Sequence, residues 1–85
     1  MKKHNFSAGP CILPQQVLEK ASQAVLNYNN SNLSLIEISH RSKDFVEVME
    51  EARKLVKDIL KVPETHDVLF LQGGASLGFL LSAYN

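Results

Sequence analysis

Val68, Leu69, Phe70 and Leu71 form an uninterrupted apolar run, bounded by the polar stretch Glu64 to Asp67 on one side and by Gln72-Gly73-Gly74 on the other. A run of this length and composition predicts a β-strand buried on both faces, the kind found in parallel sheets covered by helices. Parallel neighbours arrive through crossovers of a dozen or more residues, and no second run of this kind occurs in the sequence. Alone, the amides and carbonyls of residues 68–71 would be unpaired along both edges. This one segment therefore predicts that the 85 residues are the leading part of a longer α/β protein.

The flanking pattern is helical. Leu18, Ala21, Val25 and Tyr28 recur at spacings of three and four, widened by Val17, so a helix is expected from Pro14 to Tyr28 with Pro14 in its first turn. The Asn-rich stretch 27–32 then ends it. Residues 33–39 alternate imperfectly and predict extended chain or a short strand. From Lys43 to Lys61, Phe45, Met49, Ala52, Val56 and Ile59 line one face and charges fill the other, with Glu50 and Lys54 as an i,i+4 pair. Ser42 suits the N-cap of this helix and Pro63 its stop. Residues 77–84 read as the opening of another helix.

Charge and cysteine content narrow the function. Nine Lys and Arg against nine Asp and Glu give a formal net charge of zero, which argues against nucleic acid or an anionic membrane surface as partner. Apolar residues at 45% and charged residues at 21% are globular usage. The single cysteine, Cys11, excludes an internal disulfide and any metal site built on paired cysteines, and no metal centre is expected. No run approaches the roughly 20 apolar residues of a membrane span. The basic start Met1-Lys2-Lys3 leads into no apolar signal core, so a cytoplasmic chain is expected.

Three segments can carry chemistry. In strand, Gly73-Gly74-Ala75-Ser76, helix, the glycines let a ligand approach the backbone, and the unpaired first amides of the helix with the Ser76 hydroxyl can hold an anion. It is neither a Walker loop nor the dinucleotide fingerprint, and a plain tight turn fits the same pattern. In Ile38-Ser39-His40-Arg41-Ser42-Lys43, the Arg41 fork suits carboxylate or phosphate and His40 can assist; composition alone favours solvated charges at Arg41 and Lys43 with Ser42 as a helix cap. The third, Asn5-Phe6-Ser7-Ala8-Gly9-Pro10-Cys11-Ile12-Leu13-Pro14, is a stiff arm with Phe6, Ile12 and Leu13 as anchors, in which Cys11 reads as a buried structural thiol.

Together these segments resemble the N-terminal part of the phosphoserine aminotransferase family, pyridoxal-phosphate enzymes of serine biosynthesis. The resemblance runs through Asn5 to Pro10 with Leu13-Pro14, Glu37 to Lys43 with Phe45, and Leu69 to Ser76 with Phe79. It implies an aspartate-aminotransferase-like fold, PLP fold type I. On that reading, residues 1–42 are an N-terminal arm, helix and extended segment, and residues 43–85 are the start of the large cofactor-binding domain. Gly74, Ala75 and Ser76 would hold the phosphate of pyridoxal 5'-phosphate. His40 and Arg41 would bind the anionic substrate across a homodimer interface, and the turn containing Ala8 would border it. The implied reaction is amino transfer between phosphoserine or its keto analogue, 3-phosphohydroxypyruvate, and the glutamate/2-oxoglutarate pair.

Gly78 stands where the family usually has Gln, and Leu81-Ser82-Ala83 departs from a Val-Pro type ending, which suggests a truncated or rearranged reading frame. The family's Schiff-base lysine, ring-stacking aromatic, acidic partner of the pyridine nitrogen and later arginines would lie beyond Asn85, so the 85 residues alone are expected to be inactive, with no catalytic residue among them. Two other readings stand beside this one: a transaminase of the same fold acting on alanine, serine or glyoxylate, and a stand-alone anion-binding α/β module.

Overall fold

A computed structural model describes residues 1–85. Three helices, α1 (Gln15–Leu26), α2 (Lys43–Leu60) and α3 (Ala75–Tyr84), are joined by irregular chain, with a 3-10 turn at Tyr28–Asn30 after α1. The residues divide into two units, Met1–Val46 and Glu47–Asn85.

In the first unit, the arm is held by its own polar atoms. Asn5 Oδ1 accepts from the Ser7 amide at 3.0 Å and the Ser7 hydroxyl at 2.7 Å. The Cys11 thiol, half-buried, donates to the Asn5 carbonyl at 2.7 Å. The Lys2 ammonium donates to the Leu13 carbonyl, and the Gly9-Pro10 peptide is cis. Phe6 is 92% exposed and Ile12 46%, so the expected apolar anchors do not pack; the arm is tied to itself. Pro14 lies at the N-cap of α1 with ψ 142°, one position earlier than expected, and its carbonyl accepts from Val17.

After α1 the chain runs through consecutive turns closed by side chains. Asn27 Oδ1 accepts the Asn32 amide at 2.9 Å, and Asn29, Asn30 and Asn32 all have positive φ, which asparagine tolerates better than other side-chain-bearing residues. Residues 33–39 are turns and a bend, not the extended segment the alternation suggested. The reason is a capping-box arrangement. The Ser34 amide donates to Glu37 Oε1 at 2.9 Å, and Ser34 Oγ accepts from the Ile36 amide at 3.2 Å. Ser34 is the one buried residue of the chain, 6% exposed, and the neighbouring Leu35 amide ties this turn to the Ala24 carbonyl of α1 at 2.9 Å.

In the second unit α2 continues to Leu60, where Lys61 takes φ 54° and the Val62 amide returns to the Lys57 carbonyl at 2.9 Å. This is a Schellman ending, and Pro63 follows it. Glu50 pairs with Arg53 one turn on, not with Lys54, and Lys57 meets Asp67 at 3.7 Å.

Residues 68–71 form no strand, which corrects the expectation of one strand here. A strand is defined by its ladder, and these residues have no neighbour to pair with. Leu69 and Leu71 are 71% and 62% exposed. No apolar side chain anywhere in the chain is buried. The total accessible surface is 7907 Å² for 9.5 kDa, where a folded monomer of this mass exposes about 5,000 Å².

Candidate functional site

The candidate residues fall in three places. His40 and Arg41 are the central pair of a four-residue turn in the first unit, immediately before α2. The Ser42 amide closes it on the Ser39 carbonyl at 2.9 Å. The Ser42 hydroxyl donates to that same carbonyl at 2.7 Å and accepts from the Phe45 amide at 3.4 Å, so one side chain closes the turn and caps the helix. Ser39 Oγ accepts from the Arg41 amide at 3.1 Å. The His40 and Arg41 side chains are exposed and bond to no other group of the chain. Glu37, the nearest acid before them in sequence, has its carboxylate turned back to the Ser34 amide. A planar guanidinium beside an imidazole, without an acidic partner from the chain, can take a phosphate or carboxylate through paired charge-assisted hydrogen bonds.

Ala8 lies in the arm of the same unit, between the Asn5-closed turn and the cis Gly9-Pro10 bond. It is exposed, and no hydrogen bond links residues 7–9 to residues 39–42.

The second anion-binding candidate opens α3 in the second unit. Gly74 is the N-cap, no side chain caps the helix, and the first helical bond runs from the Gly78 amide to the Gly74 carbonyl at 2.9 Å. The amides of Ala75, Ser76 and Leu77 therefore lack helical partners and carry the positive end of the helix dipole. The Ser76 hydroxyl has no partner within the chain. Added to Gly74, a Cβ would meet nothing within 4 Å, so space in front of the helix is open. Gly73 is different, with φ +111° and its missing Cβ set against the Leu77 side chain, 2.8 Å from Leu77 Cβ. This donor set fits the dianionic phosphate end of a cofactor such as pyridoxal phosphate.

The sequence singled out His40, Arg41, Ser42 and the glycine turn as candidates, and the structure places them in a closed turn before α2 and at the start of α3. Sequence reasoning missed Ser39 and the steric demand at Gly73. The signal for the first was present, since serines three apart around two cations are what a side-chain-closed turn needs.

A family model, curated relatives and solved structures match this chain. A family model described as Aminotransferase class-V matches residues 3–85. The phosphoserine aminotransferase of Flavobacterium psychrophilum is 65% identical over 86 residues, covering 100% of this chain and 24% of the relative. A solved phosphoserine aminotransferase, described for radiation damage of its Schiff base, superposes with a TM-score of 0.89 at 44% identity, covering 99% of this chain and 23% of that one. A PLP-bound phosphoserine aminotransferase from Trichomonas vaginalis does so with a TM-score of 0.82 at 45% identity, over 92% of this chain and 22% of the other. The chain thus spans about a quarter of the length of the curated relatives it matches.

Proposed function

The chain belongs to the class-V aminotransferase family, and on that premise we propose that it is the N-terminal portion of a phosphoserine aminotransferase. The whole protein would transfer an amino group between phosphoserine or 3-phosphohydroxypyruvate and the glutamate/2-oxoglutarate pair in serine biosynthesis. The observation that carries the reading is the 65% identity to a phosphoserine aminotransferase running through the full chain.

Roles follow from local chemistry. The Ala75 and Ser76 amides, freed by the Gly74 N-cap, and the Ser76 hydroxyl hold the cofactor phosphate. Bound there, pyridoxal phosphate supplies the electron sink that amino-group transfer requires. Arg41 and His40 bind the substrate phosphate or carboxylate; in a homodimer they serve the site of the partner subunit. Ala8 borders the substrate through its backbone, having no polar side chain. Residues 1–42 form the arm and its turns, and residues 43–85 open the large cofactor-binding domain of a type I fold. There residues 68–71 gain the parallel neighbours they lack alone and become one strand of a mostly parallel sheet, which aims the Gly73-Gly74 turn at the cofactor. The enzyme is cytoplasmic, and its partners are small anionic amino and keto acids.

The doubly charged phosphate favours this substrate over alanine, serine or glyoxylate, because the chain offers a guanidinium and an imidazole side by side. Arg41→Ala in the complete enzyme tests the assignment. The Michaelis constant for phosphoserine should rise at least tenfold, as expected for losing a charged hydrogen-bonding pair of about 1.5–3 kcal/mol, while cofactor absorbance stays unchanged. Loss of cofactor absorbance with an unchanged Michaelis constant would mean that the two anion sites are assigned the wrong way round.

A further inference from the structure

We infer that Ser39 and Ser42 are positioning residues that fix the turn presenting His40 and Arg41, and so set affinity for the substrate anion. The inference rests on the reading of those two residues given above. Three of the turn's four hydrogen bonds involve the two serine hydroxyls: Ser42 Oγ to the Ser39 carbonyl at 2.7 Å, the Arg41 amide to Ser39 Oγ at 3.1 Å, and the Phe45 amide to Ser42 Oγ at 3.4 Å. The fourth is the backbone bond from Ser42 to Ser39 at 2.9 Å.

The two hydroxyls divide the work unequally. Ser42 also caps α2, so its removal disturbs the helix as well as the turn. Ser39 has no role in the helix. Its hydroxyl is committed to the amide of Arg41, the residue proposed to grip the anion. The His40 and Arg41 side chains have no partner within the chain, so where they start from is decided by the backbone of this turn. A loosened turn must be ordered again when the anion binds, and that cost appears in binding. The base of the turn is already fixed upstream, through Ser34, Glu37 and the Leu35 link to α1.

The test uses the full-length enzyme with Ser39→Ala, Ser39→Thr and Arg41→Ala. Ser39→Ala should raise the Michaelis constant for phosphoserine about fivefold, the loss expected for one hydroxyl–amide hydrogen bond. It should weaken competitive inhibition by inorganic phosphate by a similar factor, leaving kcat within about twofold and cofactor absorbance intact. Ser39→Thr, which keeps the hydroxyl, should restore both values. An unchanged Michaelis constant in Ser39→Ala, a rise that threonine does not reverse, or a fall in kcat alone overturns the inference. If Arg41→Ala raises the Michaelis constant and Ser39→Ala does not, the positioning role fails and the substrate site stands. If Arg41→Ala has no effect on it, the substrate site itself fails, and the positioning role with it.

Discussion

Alanine at position 73 would bring its Cβ against Leu77 Cδ2 and to 2.8 Å from Leu77 Cβ, at a backbone φ of +111° that side chains avoid. The Cδ2 atom can swing away; Leu77 Cβ is fixed by the helix and cannot. Gly73→Ala should therefore destabilise the complete enzyme by about 2 kcal/mol or more, seen as a lower melting temperature. Gly74→Ala has φ −99° and open space around the new methyl, so the melting temperature of the apoenzyme should stay within about 2 °C, a surface-substitution effect. Its methyl would occupy the space in front of the helix, and cofactor affinity measured by absorbance titration should fall. Equal melting losses in the two variants would contradict this division. The sequence announced a glycine turn here but not which glycine is irreplaceable. That depends on φ and on one leucine four residues away, neither of which local composition encodes.

At the scale of elements, helices were legible because their determinants are local: an apolar stripe, a capping serine and a proline stop lie within the segment itself. The α2 boundaries, Lys43–Leu60, fall within one residue of those read from the pattern. Its ion pair departs from the i,i+4 pattern: Glu50 reaches Arg53 and not Lys54, and both spacings are neighbours on a helix surface. Extended segments fared worse. Residues 33–39 alternate weakly enough that Ser34 and Glu37 could close a turn, and residues 68–71 need a second chain segment to be a strand at all. The C-terminal end of α2 offers a test. Lys61 occupies the left-handed position of the Schellman ending at φ 54°, where a side chain costs about 1 kcal/mol relative to glycine. Lys61→Gly should raise the melting temperature of the enzyme; a lower value would mean that the lysine side chain makes a stabilising contact in the whole protein. In α3, apolar residues are spread around the helix, a distribution found in helices covered on all sides.

The whole molecule has secondary structure without an interior. Ser34 is its only buried residue, and large apolar side chains such as Leu26, Ile59, Leu60 and Phe79 are 69–79% exposed. No helix is long and apolar enough to cross a membrane. In the full-length enzyme proposed above, the rest of the chain would cover these faces. Prepared alone, the 85 residues should give a helical far-UV spectrum and melt broadly, because little buried surface couples one helix to the next. A sharp calorimetric transition with a heat-capacity change near 1.1 kcal/mol/K, normal for this length, would overturn that expectation. The zero net charge also resolves at this scale. Arg41 and Lys43 gather cations at the start of α2, while along the helix Glu47, Glu50, Glu51 and Asp58 alternate with Arg53, Lys54 and Lys57, so neutrality is a balance of interleaved charges.

The side-chain-closed turns between α1 and α2 carry a consequence in time. The bonds at Ser34, Ser39 and Ser42 join residues two or three apart, and closing even a loop of about ten residues takes only on the order of 10–100 ns. On the proposed fold, a sheet around residues 68–71 would instead await partners far along the full-length chain, and such distant pairings form slowly. The segment that presents His40 and Arg41 can thus reach its shape long before the domain that would hold the cofactor is assembled. Early residence in a finished shape would leave the turn proposed to grip the substrate anion independent of the slowest step in folding of the full-length chain.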